Sequence, residues 1–317
     1  MLRAVYVLSA VLVITLPLMP VQWLAVKFRH PLRRKIPVFY HRTMCRLLGL
    51  RVRVNGAPIR EPPVLIVSNH SSWLDILVIT SLAPAVFIAK REVATWPFFG
   101  WLAKLQRSVF VDRERRHKTG EVNAEIAQRL AEGDPVVLFG EGTSSDGNRV
   151  LPFRSALIGA ARDALAAAEH TGKVWLQPLS VAYVRLHGLP MGRQMRPVAA
   201  WYGKTDLVPH LLRISRLGAI DVTVSWGEPV AYEGTTDRKA VARELETAIR
   251  ARTVGLLRDR QTGLAPVPQP IVVTTETEVN SQPAAALQYS AMEASSADVT
   301  LGSMAQGRMV PSTTGLE

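Results

Sequence analysis

Between residues 64 and 226 the chain repeats one pattern, a short apolar run followed by a stretch with helical spacing. The runs are "VLIVS" (64–68), "AVFIAK" (85–90), "SVFVDR" (108–113), "VVLFG" (136–140), "VWLQPLSVAY" (174–183) and "DVTVSW" (221–226). Each has strand length, and helical stretches at 118–132 and 155–169 separate several of them. Strands that alternate with helices argue for a mixed or parallel α/β sheet flanked by helices. Ahead of them, residues 36–50 have an amphipathic helical pattern, and "RVRVNG" (51–56) alternates as a strand and ends in an Asn-Gly turn. "DRKAVARELETAIRARTVGLL" (237–257) closes the body as a further amphipathic helix.

The two ends differ from this body. Residues 4–26, "AVYVLSAVLVITLPLMPVQWLAV", hold no charge and are about long enough to cross a hydrocarbon core. Pro17 and Pro20 interrupt the run, so a broken hairpin dipping into one leaflet competes with a single spanning helix. No small-x-small cleavage site precedes the basic block that follows. That block, Lys27, Arg29, Arg33, Arg34 and Lys35, belongs at anionic headgroups and would keep the body on the cytoplasmic side of the cytoplasmic membrane. From residue 261 the text turns to "PVPQP", "TTETE" and Ser/Ala/Thr-rich stretches without periodicity, the composition of a disordered tail. The expected organisation is therefore a membrane-anchoring segment at 1–35, a folded body at 36–260 and a tail at 261–317.

Charge narrows the partners. The tail from 262 holds five acids and one base, so the remainder carries 37 bases against 21 acids. A body this basic wants an anionic partner. Nucleic acid is disfavoured, because the basic residues do not interleave with stacking aromatics and the N-terminus is apolar. An anionic membrane face suits both ends of the argument. The single cysteine, Cys45, excludes an internal disulfide and a cysteine-rich zinc site, and its helical setting reads as a small buried apolar residue. No metal site is expected.

Two motifs could carry chemistry. In "IVSNHSSWLDIL" (66–77) an apolar strand ends in a turn that holds His70, and Asp75 lies on the helix after it. Within one regular helix, residues five apart would point about 140° from each other, so the two can meet only if His70 belongs to the turn. A carboxylate on one imidazole nitrogen would fix the tautomer and leave the other nitrogen to take a proton from a hydroxyl. The competing reading is a helix cap at Asn69 or Ser71 with His70 as a loop residue. No G-x-S-x-G nucleophile elbow occurs, so such a base would act directly on an acceptor alcohol. The second motif, "VVLFGEGTSSDGNRVLPFRSA" (136–156), runs a strand into a glycine-rich turn. It has Ser145 where a dinucleotide fingerprint needs its last glycine and lacks the Lys-Ser/Thr pair of a phosphate loop.

Together, His-x4-Asp after one strand and Phe-x-Glu-Gly-Thr after a later one resemble the glycerolipid acyltransferases, the lysophosphatidic-acid acyltransferase family. "AKREVATWPFFGWLAKLQRSVFVDR" (89–113) is similar to the family's second block, which ends in an arginine, here Arg113. "LQPLSVAY" (176–183) is similar to its fourth, with Pro178 in the proline position, and "VSWGEPV" (224–230) to its closing strand and turn. The likeness spans roughly residues 40–257. It implies an acyltransferase domain that moves a fatty acyl group from an acyl carrier protein or coenzyme A thioester, a co-substrate rather than a cofactor, to a hydroxyl of a lyso-lipid. His70 would be the general base and Asp75 its orienter. Arg113, Glu141, Gly142 and Thr143 would hold the acceptor's polar head, and Pro178 would shape the acyl side. Retention of both His70 and Asp75 argues against a membrane lipid carrier or scaffold that kept the fold and lost the chemistry.

Departures from the family pattern point to the acceptor. Gly140 stands where the third block has proline, and Ser144 where it has an arginine that binds the acceptor phosphate. Arg107 or Ser108 takes the place of the glycine that opens the second block's strand. Loss of a fork-shaped, always-charged donor weakens phosphate recognition unless Arg149 or Arg154 compensates. "EGTSSDGNRVLPFRSAL" is similar to the branch acting on lyso-ornithine lipid, whose zwitterionic head would offer an ammonium to Glu141 or Asp146 and a carboxylate to Arg113. The alternative is lysophosphatidic acid, giving phosphatidic acid.

Overall fold

A computed structural model of the chain describes residues 1–112, 119–154, 173–233 and 237–258. The helix expected over 155–169, the boundary at 260, the tail and Arg113 lie outside these residues. The chain divides into units Met1–Pro270 and Ile271–Glu317, and every described residue belongs to the first.

The described strands are β1 (Leu50–Asn55), β2 (Val64–Ser68), β3 (Val86–Lys90), β4 (Val109–Val111), β5 (Val136–Phe139), β6 (Val174–Leu186), β7 (Leu189–Pro190), β8 (Ile220–Trp226) and β9 (Val230–Tyr232). They form a single mixed sheet in the order β1-β8-β6-β2-β5-β3-β4, with β7 and β9 paired to β6. β2 lies parallel to both β5 and β6, and β6 runs antiparallel to β8. The helices are α1 (Leu2–Lys27), α2 (Leu32–Leu48), α3 (Leu74–Leu82), α4 (Phe99–Leu105), α5 (Thr119–Ala131), α6 (Leu207–Leu217) and α7 (Arg238–Arg258).

Central strands are buried along most of their length because both sheet faces are covered. All five residues of β2 are buried. Successive side chains point to opposite faces, so each strand feeds two cores. Ile66, Val137 and Phe139 enter one core with Cys45, Leu48, Leu74, Ile79, Tyr183 and Ile214. Leu65, Val67, Val136 and Leu138 enter the other with Ile126, Leu130, Leu245 and Ile249 from α5 and α7. Burial pushes the Cys45 thiol up to about 12, which keeps it an inert apolar filler.

Of the two forms left open at Pro17 and Pro20, a broken hairpin and an unbroken helix, the unbroken helix is found. Residues Leu2–Lys27 make one continuous helix with both prolines inside it. An interior proline costs a helix about 3 kcal/mol, and tertiary contacts on both sides of the pair offset that. Before it, Thr15 Oγ1 lies 2.9 Å from Tyr40 Oη of α2; after it, Gln22 Nε2 donates to the carbonyls of Arg33 and Leu105 at 3.1 and 3.0 Å. At the far end the Arg3 guanidinium donates to the carbonyls of Leu47, Leu48 and Ser215. Ala4, Val7, Thr15, Gln22 and Ala25 form the buried stripe, while Val13, Leu16, Trp23 and Leu24 stay exposed on the other side. An 18-residue stretch of the helix has a mean hydropathy of 2.2, and the helix is long and apolar enough to cross a membrane.

Candidate active site

β2 ends at Ser68, and the chain turns through Asn69–Trp73 before α3 begins at Leu74. Asn69 fixes this turn by acting as a pseudo-strand residue. Its Nδ2 donates to the Val181 carbonyl at 2.9 Å and its Oδ1 accepts the Val181 N–H at 2.8 Å. His70 is clamped through its backbone, its N–H donating to Glu141 Oε1 at 2.7 Å and its carbonyl accepting the Ser145 N–H at 2.9 Å. The imidazole stacks on Phe139 with a centroid distance of 3.9 Å and an interplanar angle of 17°.

Because His70 precedes the helix, it meets Asp75 in the first turn of α3. His70 Nδ1 lies 2.9 Å from Asp75 Oδ2. The same oxygen accepts the N–H groups of Ser71 and Ser72 at 2.8 and 3.0 Å, and Oδ1 accepts the Tyr183 hydroxyl at 2.7 Å. The carboxylate is buried at a helix N-terminus, and all of its contacts named here come from donors. An ionised carboxylate only accepts, so the imidazole proton resides on Nδ1 and the lone pair on Nε2. Such a pair can hold a neutral imidazole ready to take a proton from an alcohol.

Glu141 has both oxygens committed inward, Oε1 to His70 N and Oε2 to the Leu151 N–H at 2.8 Å. Burial pushes its carboxyl up to about 8 against the pull of these two donors, and the nearby Asp75 adds to the rise. Glu141 thus holds the His70 backbone, and it is not among the residues that line the cavity beside His70. Gly142 follows with φ of +67°, the left-handed region that glycine enters without strain, and its N–H returns to the Phe139 carbonyl at 3.0 Å. Gly140 explains its own departure from proline. Its N–H donates to the Ser68 carbonyl at 3.0 Å, and a Cβ there would stand 2.5 Å from the Phe153 ring.

A cavity of about 740 Å³ opens beside His70, with Gly142, Thr143 and Ser144 on its wall. Otherwise it is largely apolar, lined by Leu12 and Met19 of α1, Met44 of α2, Ile76 of α3, Leu102 of α4 and Leu211 of α6. The buried His41 also faces it, and burial lowers that imidazole to about 4, so it is neutral at ordinary pH. The remaining expected residues lie elsewhere. Asp146 bonds to Asn148, Arg149 and Arg154 are exposed, and Pro178 sits in β6 opposite Val67; none of the four lines the cavity. Sequence reading missed Lys90, Glu92, Trp96 and Trp201 on the cavity wall, and α6 altogether. The signal for α6 was present in "DLVPHLLRISRLG": apolar residues recur at helical spacing between Asp206 and Gly218.

The geometry has counterparts among known proteins. A family model described as Acyltransferase matches residues 51–182. The lyso-ornithine lipid O-acyltransferase of Brucella abortus is 48% identical over 260 residues, covering 82% of this chain and 97% of that protein. The protein of the same description from Rhizobium meliloti is 49% identical, covering 80% of this chain and 86% of its own length. A 1-acyl-sn-glycerol-3-phosphate acyltransferase of Neisseria gonorrhoeae is 32% identical over 64% of this chain and 74% of its own. Among solved structures, the 1-acyl-sn-glycerophosphate (LPA) acyltransferase PlsC of Thermotoga maritima superposes with a TM-score of 0.54, at 23% identity. It covers 80% of this chain and 93% of its own, a likeness of fold.

Proposed function

Since the chain belongs to the acyltransferase family, we propose that it transfers a fatty acyl group from a carrier thioester to the free hydroxyl of lyso-ornithine lipid. The observation that carries the chemistry is the His70–Asp75 pair beside an apolar cavity. His70 Nε2 takes the hydroxyl proton as the oxygen attacks the thioester carbonyl, and Asp75 stabilises the imidazolium that forms. The tetrahedral intermediate collapses by breaking the C–S bond, and the departing thiolate recovers the proton from Nε2. The products are the ester and the free thiol, with no redox change.

The choice of acceptor rests on identity and on Ser144. Identity is 48–49% over at least 80% of the chain for the two lyso-ornithine lipid enzymes, against 32% for the phosphate-acceptor enzyme. Ser144 lines the cavity where the family pattern has a phosphate-binding arginine, so a fixed cation for a phosphate dianion is missing from that position. The donor is an acyl carrier protein or coenzyme A thioester, both acidic and suited to a basic body.

The exposed apolar face of α1 meets lipid in this reading, with Lys27, Arg29 and Lys35 at the headgroups. Both ends of α1 are bonded to the body, which favours a helix lying in one leaflet over one that leaves the domain to cross the bilayer.

The test is an acyl-transfer assay in detergent that offers lyso-ornithine lipid and lysophosphatidic acid side by side. Transfer to the ornithine acceptor is expected, and His70→Ala should lower it by about 100-fold or more. Transfer confined to lysophosphatidic acid would overturn the acceptor assignment, and full activity of His70→Ala would overturn the mechanism.

A further inference from the structure

We propose that Tyr183 is a positioning residue for the reaction: its hydroxyl, donated to Asp75 Oδ1, locks the carboxylate so that Oδ2 faces His70. The inference rests on the reading of His70 as the base.

Asp75 Oδ2 is fully engaged by His70 Nδ1 and the Ser71 and Ser72 N–H groups. These three contacts all lie on one side of the carboxylate and leave rotation about its last bond opposed from that side alone. Tyr183 supplies the opposing restraint at 2.7 Å, from a different element. Its ring is fixed in β6 within the core that also holds Leu74 and Phe139. Two residues upstream on the same strand, Val181 holds the Asn69 side chain through both of its backbone groups. One strand therefore sets the turn that carries His70 and the carboxylate that orients it. Burial and the neighbouring Asp75 charge hold the tyrosine protonated and hence a donor. The titratable groups around this hydroxyl are Asp75 on α3 and Cys45 on α2, with Glu141 and His70 beyond the carboxylate.

The hydroxyl also tempers the carboxylate. A donor on Oδ1 withdraws charge from Oδ2; without it, Oδ2 stabilises the imidazolium more strongly. Loss of the hydroxyl then has two signatures that burial alone does not produce. Misorientation of Asp75 lowers kcat, and the stronger Oδ2–imidazolium attraction moves the acidic limb of the rate profile to higher pH.

The experiment is steady-state kinetics across pH on full-length Tyr183→Phe in detergent, beside wild type, Asp75→Asn and the double variant. Tyr183→Phe should lower kcat about tenfold, with KM for both substrates within about twofold. Its acidic limb should move up by roughly half a pH unit. In the Asp75→Asn background the same substitution should change kcat by less than about twofold, because its partner charge is gone. Should Tyr183→Phe not fold, 3-fluorotyrosine at position 183 keeps the ring and strengthens the donor, and the acidic limb should move down instead. A folded Tyr183→Phe with unaltered kcat and limb, additive losses in the double variant, or an unmoved limb with fluorotyrosine would each overturn the inference. Full turnover by His70→Ala would remove the base reading and this inference together. An inactive His70→Ala beside an unaltered Tyr183→Phe removes this inference alone.

Discussion

At neutral pH Glu141 enters the folded state with a proton that it lacks in the unfolded chain, since burial raises its carboxyl from an ordinary 4.5 to about 8. A second negative charge is thereby kept away from Asp75. The consequence for stability has a definite sign. A group whose folded value is raised contributes fully below its unfolded value, and that contribution is lost as pH climbs through the folded one. Relative stability should therefore fall between about pH 5 and pH 8, by on the order of a few kcal/mol. Glu141→Gln removes this titration, so subtracting its melting curves from those of wild type isolates the slope; equal slopes would exclude it. The glutamine also presents an amide N–H₂ to one of two backbone donors, at a cost of about 1–3 kcal/mol measurable at low pH. The motif "FGEGT" announced Glu141 as important, but its role was hidden in the sequence. What it bonds to, His70 N and Leu151 N, depends on two loops brought together from different strands. Asp75 was legible because its partner lies five residues away, whereas Tyr183 lies 108 residues away and sits in a run that reads only as a buried strand.

Elements were read well wherever periodicity was strong. "VLIVS" coincides with β2, "VVLFG" with β5 extended by one residue, and the closing helix with α7 shifted by one residue. The prolines of α1 left its form undecided, because the contacts that keep the helix unbroken, those with Tyr40, Arg33 and Leu105 among them, are not contained in local pattern. The outer face of α1 carries the attachment in our reading, which the inner stripe does not share. Val13→Glu, Leu16→Glu and Leu24→Glu lie on that exposed face and should leave the fold intact. Each apolar side chain withdrawn from lipid forfeits on the order of 1–2 kcal/mol, so the triple variant should bind vesicles at least about a hundredfold more weakly. Flotation with anionic liposomes measures this, and undiminished flotation would place the attachment elsewhere.

Across the whole described body, one ionic cluster joins segments that are far apart in sequence. Arg107, between α4 and β4, pairs with both Glu132 and Asp134 ahead of β5; Arg33 and Arg34 of α2 pair with the same two acids. Arg107 adopts φ of +62°, so it is Arg107 rather than Ser108 that occupies a conformation suited to glycine. Its charge partners explain why an arginine is kept there despite the strain. Removing it strips Glu132 and Asp134 of their most buried partner and leaves them only Arg33 and Arg34, a loss of up to about 3–5 kcal/mol. Arg107→Met should accordingly lower the melting temperature by roughly 6–20 °C in calorimetry, without moving the acidic limb of the rate profile. Arg3 makes a connection of another kind, reaching the carbonyls of Leu47, Leu48 and Ser215. A ribosome adds roughly 5–20 residues each second, so α1 emerges some 10–40 s before residue 215 exists to receive it. During that interval an apolar helix of 26 residues has no body to rest on. With its outer face meeting lipid, as proposed, the bilayer would be the available shelter, and assembly would run in that order: lipid contact first, the fold closing afterwards onto a helix already in place.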